Sequence, residues 1–378
     1  MAIELEGTLS GPPAPVSRLL PTLPSKDYWA PDVFELERER IFFRAWMCVG
    51  RQERIPNVGD FLVRELAGES LLIVRDRPDR INAFYNVCRH RGSRLCTKPQ
   101  GHLSGVIQCP YHAWTYGLDG RLVGTPNVGA VEGFDRGDFP LHPVNLDSWE
   151  GFLFVNLSQE PPRLRDQLGD DGTDFARYQI GSLRVGHRVE VEVAANWKIL
   201  VENYSECLHC PTVHPELVDI VPVFRKGVIE EEDGGRGVRL RKDATTWTRT
   251  GRSTVPILPG ITEEDRGMYY GMTLFPNMLV DLLPDVVRTE VLWPLGPERT
   301  LMVREWLFDP GAMARDDFDP KDIIEFHDLV DRQDSAVCEN AQKGVRSRAY
   351  GHGVYPPQDR FVHEFNRQYL RARGTMPG

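Results

Sequence analysis

The chain has 378 residues, 41% of them apolar and 26% charged, with a formal net charge of -10. That length suits two domains of unequal size, each able to bury a core. The acidic balance excludes a nucleic-acid binder, whose phosphate contacts need a basic surface. No run approaches the roughly 18 uninterrupted apolar residues of a membrane-spanning helix, and Met1 to Pro15 lacks the basic start and apolar run of a secretory signal, so no membrane role and a cytoplasmic location are expected.

In chain order, prolines at 12, 13, 15, 21 and 24 predict an irregular arm over the start. A helix follows, with Pro31 in its first turn and Phe34, Ile41 and Phe42 on its apolar side. From Met47 to about Ser158 short β-like runs alternate with turns: Phe61-Leu-Val, Leu71-Leu-Ile-Val and Gly151-Phe-Leu-Phe-Val, with Asp119-Gly120 as a hairpin signal. A polar stretch from Gln159 to Arg165 leads out. In the second half His187 to Val193 alternates as a strand, Asn196 to Leu208 is helical in pattern, and runs from Met272, Met278 and Met302 predict a sheet. Asp319 as N-cap and Pro320 open one long closing helix that runs to about Tyr350, with Gly351 as its stop. The expected fold is α+β: an arm and helix over 1–45, an antiparallel β domain over 46–160, and an α+β domain with an antiparallel sheet over 161–378.

Seven cysteines, an odd number, fit a reducing compartment better than a disulfide framework. Cys88, Cys109, Cys207 and Cys210 stand close to histidines, which points them towards metal. Cys48, Cys96 and Cys338 do not, and read as small buried hydrophobes.

Asn86-Val-Cys88-Arg-His90-Arg-Gly92 and Cys109-Pro-Tyr-His112 pair a C-x-H with a C-x-x-H. Zinc is the competing tenant, but finger-type zinc sites segregate cysteines and histidines, whereas here each loop offers one of each. Two thiolates with two imidazoles suit a two-iron cluster, the imidazoles removing negative charge and raising its potential.

The second constellation is Glu206-Cys-Leu-His209-Cys-Pro-Thr-Val-His214. Glu206 and His209, three apart, share a helix face, and Pro211 ends that helix so that His214 folds back. Two imidazoles need a carboxylate to make the facial set that binds Fe(II) with open positions. Asp334 lies between Val330 and Val337-Cys338 on an apolar face, where an unpaired charge is costly. Asp331 and Glu339 are rivals nearer the polar side. A zinc site from Cys207, His209, Cys210 and His214 needs the helix to break early.

These residues carry a resemblance. Trp46 to Ser158 resembles the Rieske ferredoxin-like domain, with Arg91, Gly92, Pro110, Tyr111 and Trp114 also matching its cluster loops. Val189 to the C-terminus resembles the catalytic domain of the Rieske non-haem iron oxygenases. The resemblance implies a [2Fe–2S] cluster with Cys88 and Cys109 on one iron and His90 and His112 on the other, and a mononuclear Fe(II) on His209, His214 and Asp334. It makes Glu206 the carboxylate linking His209 to His90 of a neighbouring subunit in a homotrimer. Most ring hydroxylases place an aspartate there. This glutamate, with Gln333-Asp334 and Cys338 to Gln342, looks more like the branch that oxidises carnitine, choline or betaine.

The expected function is therefore an oxygenase component that hydroxylates or oxidatively demethylates a small molecule with dioxygen. An aromatic ring-hydroxylating dioxygenase is the alternative, and a non-enzymatic Rieske electron carrier the alternative of another class. No G-x-G-x-x-G follows a strand, and Gly234-Gly-Arg-Gly237 reads as a polar turn. Electrons must then come from NAD(P)H through a separate flavin-containing reductase, with or without a ferredoxin. Arg89, Arg91 and Arg94 offer that partner a basic face. Tyr204, Trp247, Tyr269, Tyr270 and Phe275 are the aromatics available to a trimethylammonium group.

Overall fold

A computed structural model of the chain describes residues 19–126, 128–129, 132–229 and 237–375. Pro12, Pro13 and Pro15 of the expected arm, and most of the expected turn at 234–237, lie outside the described residues. Contacts divide the chain into two units, one of Phe42–Pro161 and one joining Met1–Ile41 to Pro162–Gly378.

The unit of Phe42–Pro161 is antiparallel throughout. Its strands are β1 (Met47–Arg51), β2 (Asp60–Leu66), β3 (Glu69–Arg77), β4 (Arg80–Tyr85), β5 (Gln100–His102), β6 (Val106–Gln108), β7 (Thr115–Gly117), β8 (Leu122–Gly124), β9 (Pro143–Trp149) and β10 (Phe152–Asn156). Seven form a sheet in the order β1-β10-β9-β4-β3-β2-β5, and β6-β7-β8 form a second. Asp119-Gly120 does turn β7 into β8: Gly120 takes φ +83, a conformation glycine adopts without Cβ strain, while the Gly117 N–H donates to Arg121 O across the turn. Leu72, Val74 and Phe84 from one sheet and Ile107, Tyr116 and Leu122 from the other close a core that also holds Cys88 and Cys109.

The other unit begins with α1 (Pro31–Glu37), whose N1 proline needs no hydrogen-bond acceptor there. Its six-stranded antiparallel sheet runs β11 (Arg184–Val193), β16 (Arg299–Phe308), β15 (Val287–Gly296), β14 (Met278–Leu282), β13 (Met268–Leu274), β12 (Val238–Arg239). Every residue of β14 is buried, as is Val287 to Trp293 of β15, so both faces of the central strands are covered. The helices around the site are α2 (Trp197–Tyr204), α3 (Cys210–Val213), α4 (Pro215–Ile220), α5 (Lys321–Val345) and α6 (Arg360–Arg373). None of the helices among the described residues is long and apolar enough to cross a membrane.

Asn196 caps α2 by accepting from Lys198 N, and the two residues after it anchor the helix: Trp197 Nε1 donates to Glu37 Oε2 at 2.9 Å, and Lys198 Nζ reaches Glu37 Oε1 at 2.5 Å. Tyr369 of α6 donates to the same carboxylate, tying α1, α2 and α6 together.

Several expectations are corrected. The helix expected over Asn196 to Leu208 stops at Tyr204, because the Glu206 carboxylate accepts from the backbone N–H groups of Leu208 and His209 and so competes with helix continuation. Pro211 opens a short helix instead of ending a long one. The long helix spans Lys321–Val345, short of Tyr350, with Asp319 Oδ1 accepting from Lys321 N. It is also not the last: α6 follows it, with Val362, Phe365, Tyr369 and Ala372 buried along one side. Pro21 pairs with Val354 in a two-residue strand rather than lying in an irregular arm.

Two candidate metal centres and a cavity

In the β unit two tight turns bring the first four candidate ligands together. Cys88 N–H donates to Ser93 O and Gly92 N–H returns to Cys88 O; in the same way Cys109 N–H donates to Trp114 O and Ala113 N–H returns to Cys109 O. Gly92 (φ +71) and Ala113 (φ +57) make the reversals possible. The thiols are 3% and 2% exposed and within hydrogen-bonding reach of each other. His90 and His112 lie outward, their ring centroids 4.8 Å apart, with His90 stacked on Trp114 at 4.8 Å. Tyr116 Oη lies 3.3 Å from Cys88 Sγ and accepts from Arg89 N.

Cysteine and histidine are thus segregated into an inner and an outer pair. A single tetrahedral zinc would gather all four donor atoms around one point. Among the described residues the one group of three or more His, Cys, Asp or Glu ligand atoms within 4.8 Å of one another lies elsewhere. Separate thiol and imidazole pairs fit a two-iron cluster better than one ion.

That other group is His209, His214 and Asp334. His209 is the residue before α3, His214 the residue before α4, and Asp334 projects from the middle of α5. Asp334 Oδ1 lies 2.9 Å from His214 Nε2 and 3.4 Å from His209 Nε2. Each imidazole is oriented from behind: His209 Nδ1 donates to Glu206 Oε1 at 2.7 Å, and His214 Nδ1 to Gln333 Oε1 at 2.8 Å. Outward donation of Nδ1 leaves both Nε2 atoms free to ligate, the arrangement metal-binding histidines favour. The residues therefore fit a mononuclear iron with open positions.

Two sequence expectations fail here. Cys207 and Cys210 are paired in a disulfide, against the expectation of a chain without one, and so are not zinc ligands. Asp331 is not on a polar side: it is 6% exposed, with Arg288 at 2.5 Å and Arg304 at 3.4 Å. Glu339 accepts from Ala194 N, away from the histidines.

A cavity of about 290 Å³ opens onto the His209, His214 and Asp334 group. Tyr204, Trp247, Tyr269 and Tyr270 line it, while Phe275 packs against Trp197 and Phe365 instead. Trp247 and Tyr269 stand 4.5 Å apart between ring centroids, and Tyr204 and Tyr269 both donate to Asp281 Oδ1. In its wall Arg288 pairs with Asp281, Glu290 and Asp331, and Arg304 with Glu290 and Asp331. Three carboxylates face two guanidinium groups. Burial pushes Asp331 up to about 7 against the pull of Arg288 and Arg304. Sequence reasoning named none of Asp281, Arg288, Glu290, Arg304 or His327, which also line the cavity; the charged ones meet across strands and with α5, so only buried charges in strand-like runs hinted at them, and nothing hinted at His327.

An antiparallel domain with a Cys2His2 pair of loops, joined in one chain to a helix-and-sheet domain with two histidines and an aspartate, defines a Rieske-type iron oxygenase. Family models agree, the Rieske [2Fe-2S] domain matching residues 45–135 and the ring hydroxylating alpha subunit (catalytic domain) matching residues 180–374. The chain belongs to the ring-hydroxylating alpha subunit family, and is an oxidoreductase whose cofactors are a Rieske cluster and a mononuclear iron. It is 33% identical over 88% of its length to the glycine betaine monooxygenase oxygenase subunit of Chromohalobacter salexigens, covering 81% of that protein. It is 31% identical over 87% of its length to the carnitine monooxygenase oxygenase subunit of Acinetobacter baumannii, covering 86% of it. Among solved structures, the quaternary ammonium Rieske monooxygenase CntA in complex with L-carnitine superposes with a TM-score of 0.75 at 28% identity, over 94% of this chain and 96% of that one. Naphthalene 1,2-dioxygenase from Rhodococcus shares the fold, with a TM-score of 0.75 at 21% identity over 93% and 94% of the two chains. The reading as a bare electron carrier is set aside by this family membership.

Proposed function

We propose that this oxygenase acts on a quaternary ammonium compound, inserting one oxygen atom next to the nitrogen so that a methyl group leaves as formaldehyde. The observation that carries the reading is the cavity wall: aromatic faces at Trp247, Tyr269 and Tyr204 beside a surplus of buried carboxylate. A permanent cation gains from both, through the ring quadrupoles and through the charge that two guanidinium groups leave unbalanced. An uncharged aromatic substrate can pack on the same rings but gains nothing from the charge. The relatives named for glycine betaine and carnitine support the same choice.

In this reading Cys88, Cys109, His90 and His112 hold the cluster, and His209, His214 and Asp334 hold the iron. Bound there, ferrous iron supplies the activation of dioxygen, with electrons drawn through the cluster. Glu206 and Gln333 fix the two imidazoles, and in this reading Glu206 couples His209 to the cluster of a neighbouring subunit in a homotrimer, which the inter-subunit electron transfer described for CntA supports. The domain limits of 46–160 and 161–378, a flavin-containing NAD(P)H reductase as partner and a cytoplasmic location belong to the same proposal. Arg94 is a poor docking residue, since Glu65 already engages it at 2.8 and 3.1 Å.

The test is a single turnover without the reductase. Protein reduced chemically under nitrogen is mixed with dioxygen and a panel of betaines, choline and aromatic acids. Formaldehyde with a demethylated amine supports the proposal. A ring diol from an aromatic acid, with the betaines untouched, overturns it.

A further inference from the structure

One pair of side chains in the cavity has hydrogen-bonding capacity that the protein does not use. His327, 1% exposed, projects from α5 and donates Nδ1–H to Ile323 O at 2.8 Å. A carbonyl can only accept, so the proton sits on Nδ1 and Nε2 carries a lone pair. That Nε2 has no partner, and neither has the indole N–H of Trp247, which is 6% exposed. The two rings lie 5.4 Å apart between centroids, 30° from parallel, and both line the cavity that reaches His209, His214 and Asp334. Burial, reinforced by Arg288, pushes His327 down to about 3, so the ring stays neutral and its Nε2 remains an acceptor. Buried donors and acceptors are rarely left unmatched, because each unmade bond forfeits the hydration the group had in water.

We infer that His327 and Trp247 form a recognition site for a hydroxyl group on the substrate, the hydroxyl donating to His327 Nε2 and accepting from Trp247 Nε1–H. A hydroxyl is the small group that can satisfy a lone acceptor and a lone donor together. A carboxylate can accept from the indole but meets a second lone pair at His327. The arginines among the described lining, Arg288 and Arg304, are already paired with Asp281, Glu290 and Asp331, and Trp306 lies over the Arg288 guanidinium. Because Tyr204 and Tyr269 line the same cavity beside Trp247, a hydroxyl held there falls close to an ammonium group resting on those rings. Resting on the quaternary ammonium reading, the inference narrows it to compounds with a hydroxyl near the charged nitrogen, as in choline and carnitine.

Two matched pairs test it, choline against ethyltrimethylammonium and carnitine against γ-butyrobetaine, each pair differing by the hydroxyl alone. With the intact, cluster-loaded protein, at least one hydroxylated member is expected to exceed its partner by about 10-fold or more in kcat/KM, because a site built around a hydrogen bond rejects an analogue lacking it. In H327F and, independently, W247F that ratio should fall towards one, while H327Q, which restores an acceptor, should recover part of it. Turnover of both members at equal rates overturns the hydroxyl site and leaves the quaternary ammonium reading standing, as does a ratio unchanged in both phenylalanine variants. Oxidation of aromatic acids with all four ammonium compounds inert overturns the earlier reading, and this one with it.

Discussion

Asp331 and Asp334 lie one turn apart on α5 and face different partners: Asp331 is clamped by Arg288 and Arg304, whereas Asp334 meets His209 and His214. Replacing each separates structural from catalytic roles. D334A should lose the mononuclear iron and product formation while the visible spectrum of the cluster persists, measured as iron per chain before and after the change. D331N takes away the charged acceptor that Arg288 and Arg304 share, breaking a buried ion-pair network, and should cost about 3–5 kcal/mol in urea unfolding. Equal iron loss in both variants would contradict this division.

The Lys198 to Glu37 contact is wholly buried, at 0% and 1% side-chain exposure. K198M strands the carboxylate, whose remaining partners are the neutral donors Trp197 and Tyr369. The expected loss is about 3–5 kcal/mol, read from denaturant or thermal unfolding. Pairing it with E37Q should give less than the sum of the two single costs, since the second change removes the stranded charge.

Tyr116 offers its hydroxyl to Cys88 Sγ. A hydrogen bond to a cluster sulfur stabilises the more negative reduced state, so Y116F should lower the midpoint potential in a redox titration. A potential that rises or stays fixed would show that the contact does not reach the sulfur of the loaded cluster.

Glu202 accepts from Tyr28 and Asn366 at 2.8 Å each. Loss of solvent around the carboxylate outweighs those bonds and pushes its pKa up to about 7. The folded chain then holds this proton where the unfolded chain, near 4.3, has released it. Its contribution to stability is fully present below the unfolded value and is lost as pH rises through 7. E202Q should therefore show a smaller fall in urea midpoint between pH 5 and pH 8 than the parent protein.

The sequence exposes short-range geometry and conceals long-range pairing. The two turns holding Cys88, His90, Cys109 and His112, and the Asp119-Gly120 hairpin, are legible because each closes within a few residues. The choice of Asp334 followed from local apolar spacing, and the structure does bring it to His209 and His214. The misreading of Asp331 came from the same spacing, since Arg288 and Arg304 that neutralise it lie on β15 and β16, 43 and 27 residues away in sequence. His327 was invisible for a related reason: what distinguishes it is an unmade bond, apparent only when its surroundings are assembled. The early end of α2 reflects a side chain competing with the backbone, which apolar periodicity does not register. The helix Arg360–Arg373 did carry a readable stripe in Val362, Phe365, Tyr369 and Ala372.

Much of the cavity wall lies on stretches of chain apart from the candidate iron ligands, with two exceptions: Tyr204 stands five residues before His209, and α5 carries both His327 and Asp334. Descendants of this gene can therefore alter their diet by changes around Trp247 and along Met268–Leu274 without retuning the machinery that handles oxygen. Along α5 that freedom is curtailed. His327 and Asp334 share that helix two turns apart, so new tastes should be acquired on the sheet side first and inherited on the helix side last.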